Sequence, residues 1–92
     1  MDKFLRLPVT REYFEEIKSG VKKYDYRLKS HYWLQRLSGR KYDGVMITLG
    51  YPAADDTSRI LTFPWRGFEC QTITHRHFGN KPVDVFAIKL ER

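Results

Sequence analysis

The residues best suited to chemistry lie close together in the segment Gly20-Val21-Lys22-Lys23-Tyr24-Asp25-Tyr26-Arg27. Lysine and arginine supply cationic N–H donors for a phosphate group or a base carbonyl. A carboxylate such as that of Asp25 accepts a hydrogen bond from the amino group of a nucleobase. Gly20 allows a sharp turn, so that Lys22 enters a cleft before a regular strand begins. Lys22, Asp25 and Arg27 are therefore a candidate set for binding one unpaired nucleotide.

The neighbouring elements must position these side chains. Apolar residues recur at helical spacing over residues 10–19, which predicts a short amphipathic helix that ends before Gly20. Residues 23–29 then alternate strictly, which predicts a strand with one packed and one polar face. The polar face carries Lys23, Asp25, Arg27 and Lys29, and the packed face carries Tyr24, Tyr26 and Leu28. The alternative is an ordinary ion pair on a wet strand face, worth less than about 1 kcal/mol.

The rest of the chain adds mostly β structure. Residues 30–42 predict a short irregular helix, and further strands are predicted at residues 4–9, 44–49, 59–65, 68–74 and 83–90. Short strands around one or two short helices predict an α+β fold, a small β-barrel of about five to six strands. With 92 residues, the chain is expected to form a single domain spanning 1–92.

The positive charge is concentrated in one segment. The chain has a net charge of +6, and residues 18–41 hold eight basic residues against Asp25 alone, which gives that segment +7. Such a concentration is typical of a surface that binds a polyanion. Charge does not distinguish RNA from DNA or an acidic protein, and a basic face that only keeps the protein soluble is the alternative.

Aromatic residues near the basic segment are candidate stacking platforms for unpaired bases. Tyr32, Trp33 and Tyr51 lie within or close to it, and Trp65 with Arg66 follows a predicted loop. Most aromatic side chains of so small a domain must belong to the core, and Trp33 is expected to be buried. Tyr51 and Arg66 are retained as candidate ligand-binding residues.

Neither a metal site nor a cofactor is expected. Cys70 is the only cysteine, and His75 and His77 have no third ligand nearby in the sequence. No segment has the apolar length of a membrane span, and the N-terminal residues lack the apolar block of a secretory signal. The expected location is the cytoplasm.

The segment from Gly20 to Arg27 fits the pattern Gly-x-Lys-x-x-(Glu/Asp)-x-Arg, which resembles the signature of the ASCH family in the PUA-like superfamily. The resemblance to short, often phage-encoded ASCH proteins extends over nearly the whole chain, although residues 55–80 match weakly. It includes Tyr32-Trp33, Arg36-Leu37, Lys41-Tyr42-Asp43, Gly50-Tyr51 and the closing strand over residues 85–90. Asp25 departs from the family, which more often has glutamate at that position.

The resemblance implies a PUA-like barrel with a basic cleft that binds RNA or a nucleoside. Its candidate ligand-binding residues are Lys22, Lys23, Asp25, Arg27, Tyr51 and Arg66. DNA is an alternative partner, a membrane is not expected, and the protein would be a monomer or weak dimer. A phage accessory module that binds a host protein is a further alternative.

The resemblance also leaves open whether the protein is an enzyme. Some ASCH proteins hydrolyse N4-acylated cytidine, and others are described as ribonucleases. In the amidohydrolases the motif lysine takes part in the reaction, a threonine occupies the position of Asp25, and a distant glutamate assists. Lys22 and Asp25 would be the catalytic residues here, and Glu69 is the glutamate considered.

Overall fold

The computed structural model describes residues 3–53, 55–75 and 78–91. The chain begins with β1 (Phe4–Val9), α1 (Arg11–Ser19), β2 (Tyr24–Leu28) and α2 (His31–Leu37). It continues with β3 (Gly44–Leu49), a 3-10 turn (Thr57–Arg59), β4 (Ile60–Pro64), β5 (Phe68–Ile73) and β6 (Val83–Lys89). Across the described residues, neither helix has the length and apolar character needed to span a bilayer.

The six strands form two three-stranded sheets. In the first, β3 lies between β1 and β4, parallel to β1 and antiparallel to β4. In the second, β6 lies between β2 and β5 and is antiparallel to both. Because β1 and β3 are parallel, the chain must return along the sheet between them. The connection consists of α1, β2 and α2, and its strand β2 belongs to the second sheet.

The predicted α+β class with six strands and two short helices is confirmed, whereas closure into a barrel is not. Within residues 3–53, 55–75 and 78–91, no ladder of paired residues joins the two sheets. Alternation along a strand predicts which residues share a face, but it does not specify which strands are neighbours. The division into two sheets could therefore not be predicted from the pattern.

The end of α1 directs the chain toward β2. Phe14 and Ile17 of this helix are buried. Gly20 follows with a φ of 87°, a conformation that favours glycine, and its N–H donates to the carbonyl of Ile17 at 3.2 Å. The N–H of Lys22 then donates to the carbonyl of Glu16 at 3.0 Å. The turn therefore keeps Lys22 against α1 before β2 begins.

The buried side chains form one cluster to which both sheets and both helices contribute. Four consecutive residues of β6, from Val85 to Ile88, are buried, as expected for the central strand of a sheet that is covered on both faces. The cluster consists of Leu5, Leu7, Phe14, Ile17, Leu37, Val45, Ile47, Phe63, Phe86, Ile88 and Leu90.

Candidate functional site

A cavity of about 390 Å³ is lined by residues from both sheets and from α1. Its wall includes the end of β1, the start of α1, the middle of β2 and Gly50, which follows β3. β1 and β3 run parallel with Val9 opposite Leu49, so both strands end at the same edge of their sheet. Gly50, with a φ of 65°, turns the chain away at this edge. The topology thus brings the strand end and the segment from Asp25 to Arg27 to one concave surface.

Asp25 and Arg27 form a doubly hydrogen-bonded ion pair in the cavity wall. Arg27 Nε donates to Asp25 Oδ1 at 2.5 Å, and Arg27 Nη2 donates to Asp25 Oδ2 at 3.1 Å. The same Nη2 donates to the carbonyl oxygen of Pro8 at 3.0 Å, which links β2 to the end of β1. The side chain of Asp25 is 5% exposed and that of Arg27 is 20% exposed. The pair is therefore largely enclosed rather than spread over a wet strand face.

The electrostatic environment of Asp25 is set by burial and by two cations. Burial raises the pKa of Asp25, and the positive charges of Arg27 and Lys22 oppose this increase. Both carboxylate oxygens accept from Arg27, which leaves about two acceptor positions for a further donor. Asp25 can therefore orient Arg27 and still accept a hydrogen bond from a ligand.

The predicted strand β2 is present, but the predicted faces were wrong for Asp25 and Leu28. Leu28 was expected on the packed face and is 46% exposed, whereas Asp25 was expected on the polar face and is 3% exposed. Burial of the carboxylate is tolerated because the guanidinium of Arg27 compensates its charge and satisfies both oxygens. Alternation separates two faces without showing which one turns inward.

Lys22 extends over aromatic rings of the cavity. Its Nζ lies 4.5 Å from the ring centre of Tyr26 and 5.2 Å from that of Tyr13. Burial lowers the pKa of Lys22, and the carboxylates of Asp25 and Glu16 oppose the decrease. No oxygen of the described residues accepts a hydrogen bond from this ammonium group. Its N–H donors are thus available to a ligand.

Aromatic rings form much of the remaining wall. The ring of His75 lies edge-on to Tyr13, with centres 5.7 Å apart, and 6.1 Å from the ring of Phe78. Tyr51 is 92% exposed and stands at the rim. Burial raises the pKa of Tyr13 and of Tyr26, which keeps both phenols neutral at neutral pH. Apolar walls with a few convergent polar groups are typical of small-molecule sites.

Four of the six sequence-predicted ligand-binding residues line this cavity: Lys22, Asp25, Arg27 and Tyr51. Lys23 is exposed and lines a separate depression next to the end of α1. Lys23 precedes β2, which begins at Tyr24, so the alternation that places Asp25 and Arg27 on one face does not extend to it. Arg66 is exposed, and its Nε donates to the carbonyl of Glu91 at 3.0 Å. That bond holds Arg66 near the C-terminal end of the described chain, away from the cavity.

Glu69 also lies outside the cavity. Its carboxylate pairs with Lys89 Nζ at 3.6 Å and accepts a hydrogen bond from Gln71. It is therefore not positioned to assist Lys22. Of the two histidines considered as ligands, His75 lines the cavity, and His77 lies outside the described residues. No group of three or more His, Cys, Asp and Glu side chains suited to a metal ion occurs in the described part of the chain.

The aromatic part of the wall was not predicted from the sequence. Tyr13 and Tyr26 were assigned to packing faces, and Phe78 was given no role, although all three line the cavity. One signal could have indicated the first two. The turn at Gly20 places Lys22 between α1 and β2, and each of these elements carries a tyrosine. This arrangement favours contact of the ammonium group with the tyrosine rings. No comparable pattern marks Phe78, because it lies in the connection between β5 and β6.

The chain was compared with known proteins in three ways. No protein-family model, no curated protein and no solved structure matches it. The functional interpretation therefore depends on the contacts within the cavity and on the motif from Gly20 to Arg27.

Proposed function

We propose that this protein is a small ASCH-type module that binds RNA or a nucleoside, with one unpaired nucleotide held in the cavity. The observation that carries the proposal is the convergence of the Lys22 ammonium, the Asp25–Arg27 pair and several aromatic rings on one cavity of about 390 Å³. This volume lies near the lower end of the range of about 300–1,000 Å³ for small-molecule sites. It suits a base with its ribose better than a large cofactor.

Each part of the wall has a role in this proposal. The Lys22 ammonium donates to a base carbonyl or to a phosphate oxygen, and the remaining acceptor positions of Asp25 accept from an exocyclic amino group. Arg27 keeps two N–H groups on Nη1 that have no acceptor among the described residues. Exposed Tyr51 supplies a stacking face, and such faces contribute about 1–3 kcal/mol per base.

The proposal includes the setting implied by the family resemblance. The two sheets would correspond to a PUA-like barrel, and the protein would act in the cytoplasm as a monomer or weak dimer. Support comes from the position of the motif between an amphipathic helix and an alternating strand. RNA is favoured over DNA by the resemblance alone, so both nucleic acids belong in the test.

The test uses fluorescence anisotropy with single-stranded RNA and DNA of the same mixed sequence, about 12 nucleotides long. We expect RNA binding that weakens as salt is raised, because cations of the protein replace counterions of the phosphates. Lys22→Met keeps the length of the side chain but removes its charge, and it should lower the affinity about tenfold or more. The exposed Lys29→Met, which removes the same charge outside the cavity, should have little effect. No saturable binding of RNA, DNA or a nucleoside at low salt would refute the proposal.

A second candidate function is hydrolysis of an N4-acylated cytidine. The supporting observation is that burial lowers the pKa of Lys22, which increases the fraction of neutral amine at neutral pH. The neutral amine would take a proton from a water molecule whose oxygen bonds to the acyl carbon. The bond between this carbon and N4 would then break, and the proton would pass to N4, so that cytidine and a carboxylic acid leave. Asp25 would help to hold the protonated amine.

Incubation with N4-acetylcytidine separates this candidate from simple binding. If the protein is a hydrolase, chromatography will show cytidine released by the wild type and by Lys29→Met, but not by Lys22→Met. Release that persists in Lys22→Met would exclude Lys22 as the base. If the wild type binds the compound and releases no cytidine, the hydrolase candidate fails for this substrate and the binding proposal stands.

A further inference from the structure

A second concave surface, the basic groove, lies along the first half of β1 and α2. Its volume is about 540 Å³, and its cationic residues are Lys3, Arg6, Arg36 and Arg40. None of the described residues that line it is acidic. The charged groups of these four residues form no ion pair with a described carboxylate; the carboxylate of Asp43 accepts instead from the backbone N–H of Lys3, at 2.6 Å. With respect to the described residues, the groove therefore presents positive charge that no ion pair compensates.

One part of the basic groove is an exposed aromatic surface. The guanidinium carbon of Arg36 lies 4.5 Å from the ring centre of Tyr32, a side chain that is 56% exposed. Arg40 is held beside it, because its Nε donates to the carbonyl of Gln35 at 3.2 Å. A guanidinium against a tyrosine ring offers a flat surface for stacking together with N–H donors for phosphate.

The basic groove and the cavity are neighbours. Trp33 lies between a cation of each: its ring centre is 5.1 Å from the guanidinium carbon of Arg27 in the cavity and 6.0 Å from that of Arg36 in the groove. β1 connects them as well, since its first residues line the groove and Pro8 lines the cavity. A strand of nucleic acid with one base in the cavity would have its next phosphates near the groove.

We propose that the basic groove binds the phosphodiester backbone of single-stranded nucleic acid next to the nucleotide in the cavity. The inference rests on the proposed function and narrows it, because it makes the ligand a strand rather than a free nucleoside. An acidic protein segment would also be attracted by the four cations. Such a segment carries no base to stack on the exposed surface of Tyr32 and Arg36 or to occupy the adjacent cavity of nucleoside size. These two features therefore favour nucleic acid.

The experiment compares two double variants with equal change in charge. Arg36→Gln with Arg40→Gln removes two groove cations, and Lys29→Gln with Lys81→Gln removes two exposed cations that line neither concave surface. Affinity for a mixed-sequence RNA of about 12 nucleotides is measured at several salt concentrations. Binding of adenosine, cytidine, guanosine and uridine is measured by calorimetry. All four exchanged residues are exposed, and thermal melting verifies that both variants fold.

The groove variant, Arg36→Gln with Arg40→Gln, should bind the RNA about tenfold more weakly at low salt. It should bind nucleosides as the wild type does. Its plot of log affinity against log salt should be shallower by about 1.4, since each phosphate contact on a single strand contributes about 0.7. The control variant should resemble the wild type in both measurements.

Three results would overturn the inference. In the first, the groove variant matches the control variant in RNA affinity and salt slope. In the second, the wild type binds a nucleoside and no RNA. Either of these two results leaves the cavity proposal intact. Poly-L-glutamate that displaces RNA as well as unlabelled RNA does, at equal charge, would show a groove for any polyanion. Conversely, RNA binding that is lost in the groove variant and unchanged in Lys22→Met would retain the groove and refute the cavity.

Discussion

The Asp25–Arg27 pair determines the shape of the cavity wall, because Arg27 also bonds to the carbonyl of Pro8 in the other sheet. A carboxylate that is 3% exposed is stable only with its charge compensated. The guanidinium of Arg27 compensates the charge of the carboxylate. Hydrogen bonds at two of its nitrogens fix the position of the guanidinium. The pair therefore stabilises the contact between β2 and β1 while it lines the binding site.

Asp25→Ala should lower the free energy of unfolding by about 3 kcal/mol, because removal of one partner leaves a largely buried charge unpaired. Chemical denaturation at neutral pH measures this change. Asp56→Ala is the matched control: it removes a carboxylate that pairs with Arg59 at 3.2 Å on the exposed surface. That variant should lose less than about 1 kcal/mol. Equal losses in the two variants would contradict the structural role of the buried pair.

The protonation state of Lys22 should control affinity at alkaline pH. Its pKa is lowered from the ordinary value of 10.5, so its charge is lost before that of exposed lysines as pH rises. Affinity for RNA should fall by up to about tenfold per pH unit above this lowered pKa, since one proton is required. Anisotropy between about pH 7 and pH 9.5 with an RNA of adenine and cytosine only avoids titration of the bases. A pH dependence that persists in Lys22→Met would contradict this assignment.

At the scale of residues, the spacing of the motif predicted which polar groups meet. Gly20 as a turn, with Lys22, Asp25 and Arg27 after it, predicted a convergence, and all three line one cavity. Burial of Asp25 could not be predicted, because it depends on the carbonyl and side chains that β1 and α2 bring to β2. Spacing along one strand contains no information about these distant contacts.

At the scale of elements, the close approach of β1 to β3 depends on Gly44. This residue is buried and lies opposite Phe4 in the parallel ladder and opposite Pro64 in the antiparallel one. A Cβ atom at position 44 would lie 2.6 Å from Phe4 Cε2 and 2.8 Å from the carbonyl oxygen of Phe63. The ring of Phe4 can rotate, but the carbonyl belongs to the paired strand.

Gly44→Ala should therefore destabilise the protein by about 1–3 kcal/mol through overpacking. Thermal melting measures the change, and the lost stability should appear without a change in nucleoside affinity, since Gly44 does not line the cavity. A variant as stable as the wild type would show that β1 and β4 can separate around β3 and that their spacing is not fixed.

The elements themselves were largely predictable. The helical period gave α1, with Gly20 after its last residue, and strict alternation gave β2. The pairing of strands was not predictable, because it is decided by side chains distant in sequence. Closure into a barrel was therefore not confirmed, while the number and order of the predicted strands and helices were correct.

For the whole molecule, the charge of residues 18–41 has a defined distribution. This segment carries +7, and the rest of the chain carries −1. The segment supplies Lys22 and Arg27 to the cavity and Arg36 and Arg40 to the basic groove. Four of the eight cations in this segment thus line the two concave surfaces. The sequence predicted a basic region but not its division into two concave parts.

The central claim is that a nucleotide binds between Lys22 and the Asp25–Arg27 pair. Titration of ¹⁵N-labelled protein with single-stranded RNA, followed by NMR, tests it most directly. The account predicts the largest amide shift changes at residues 9–10, 22–27 and 50–51, with those at 22–27 absent in Lys22→Met. Shift changes confined to β4 and β5 would contradict it.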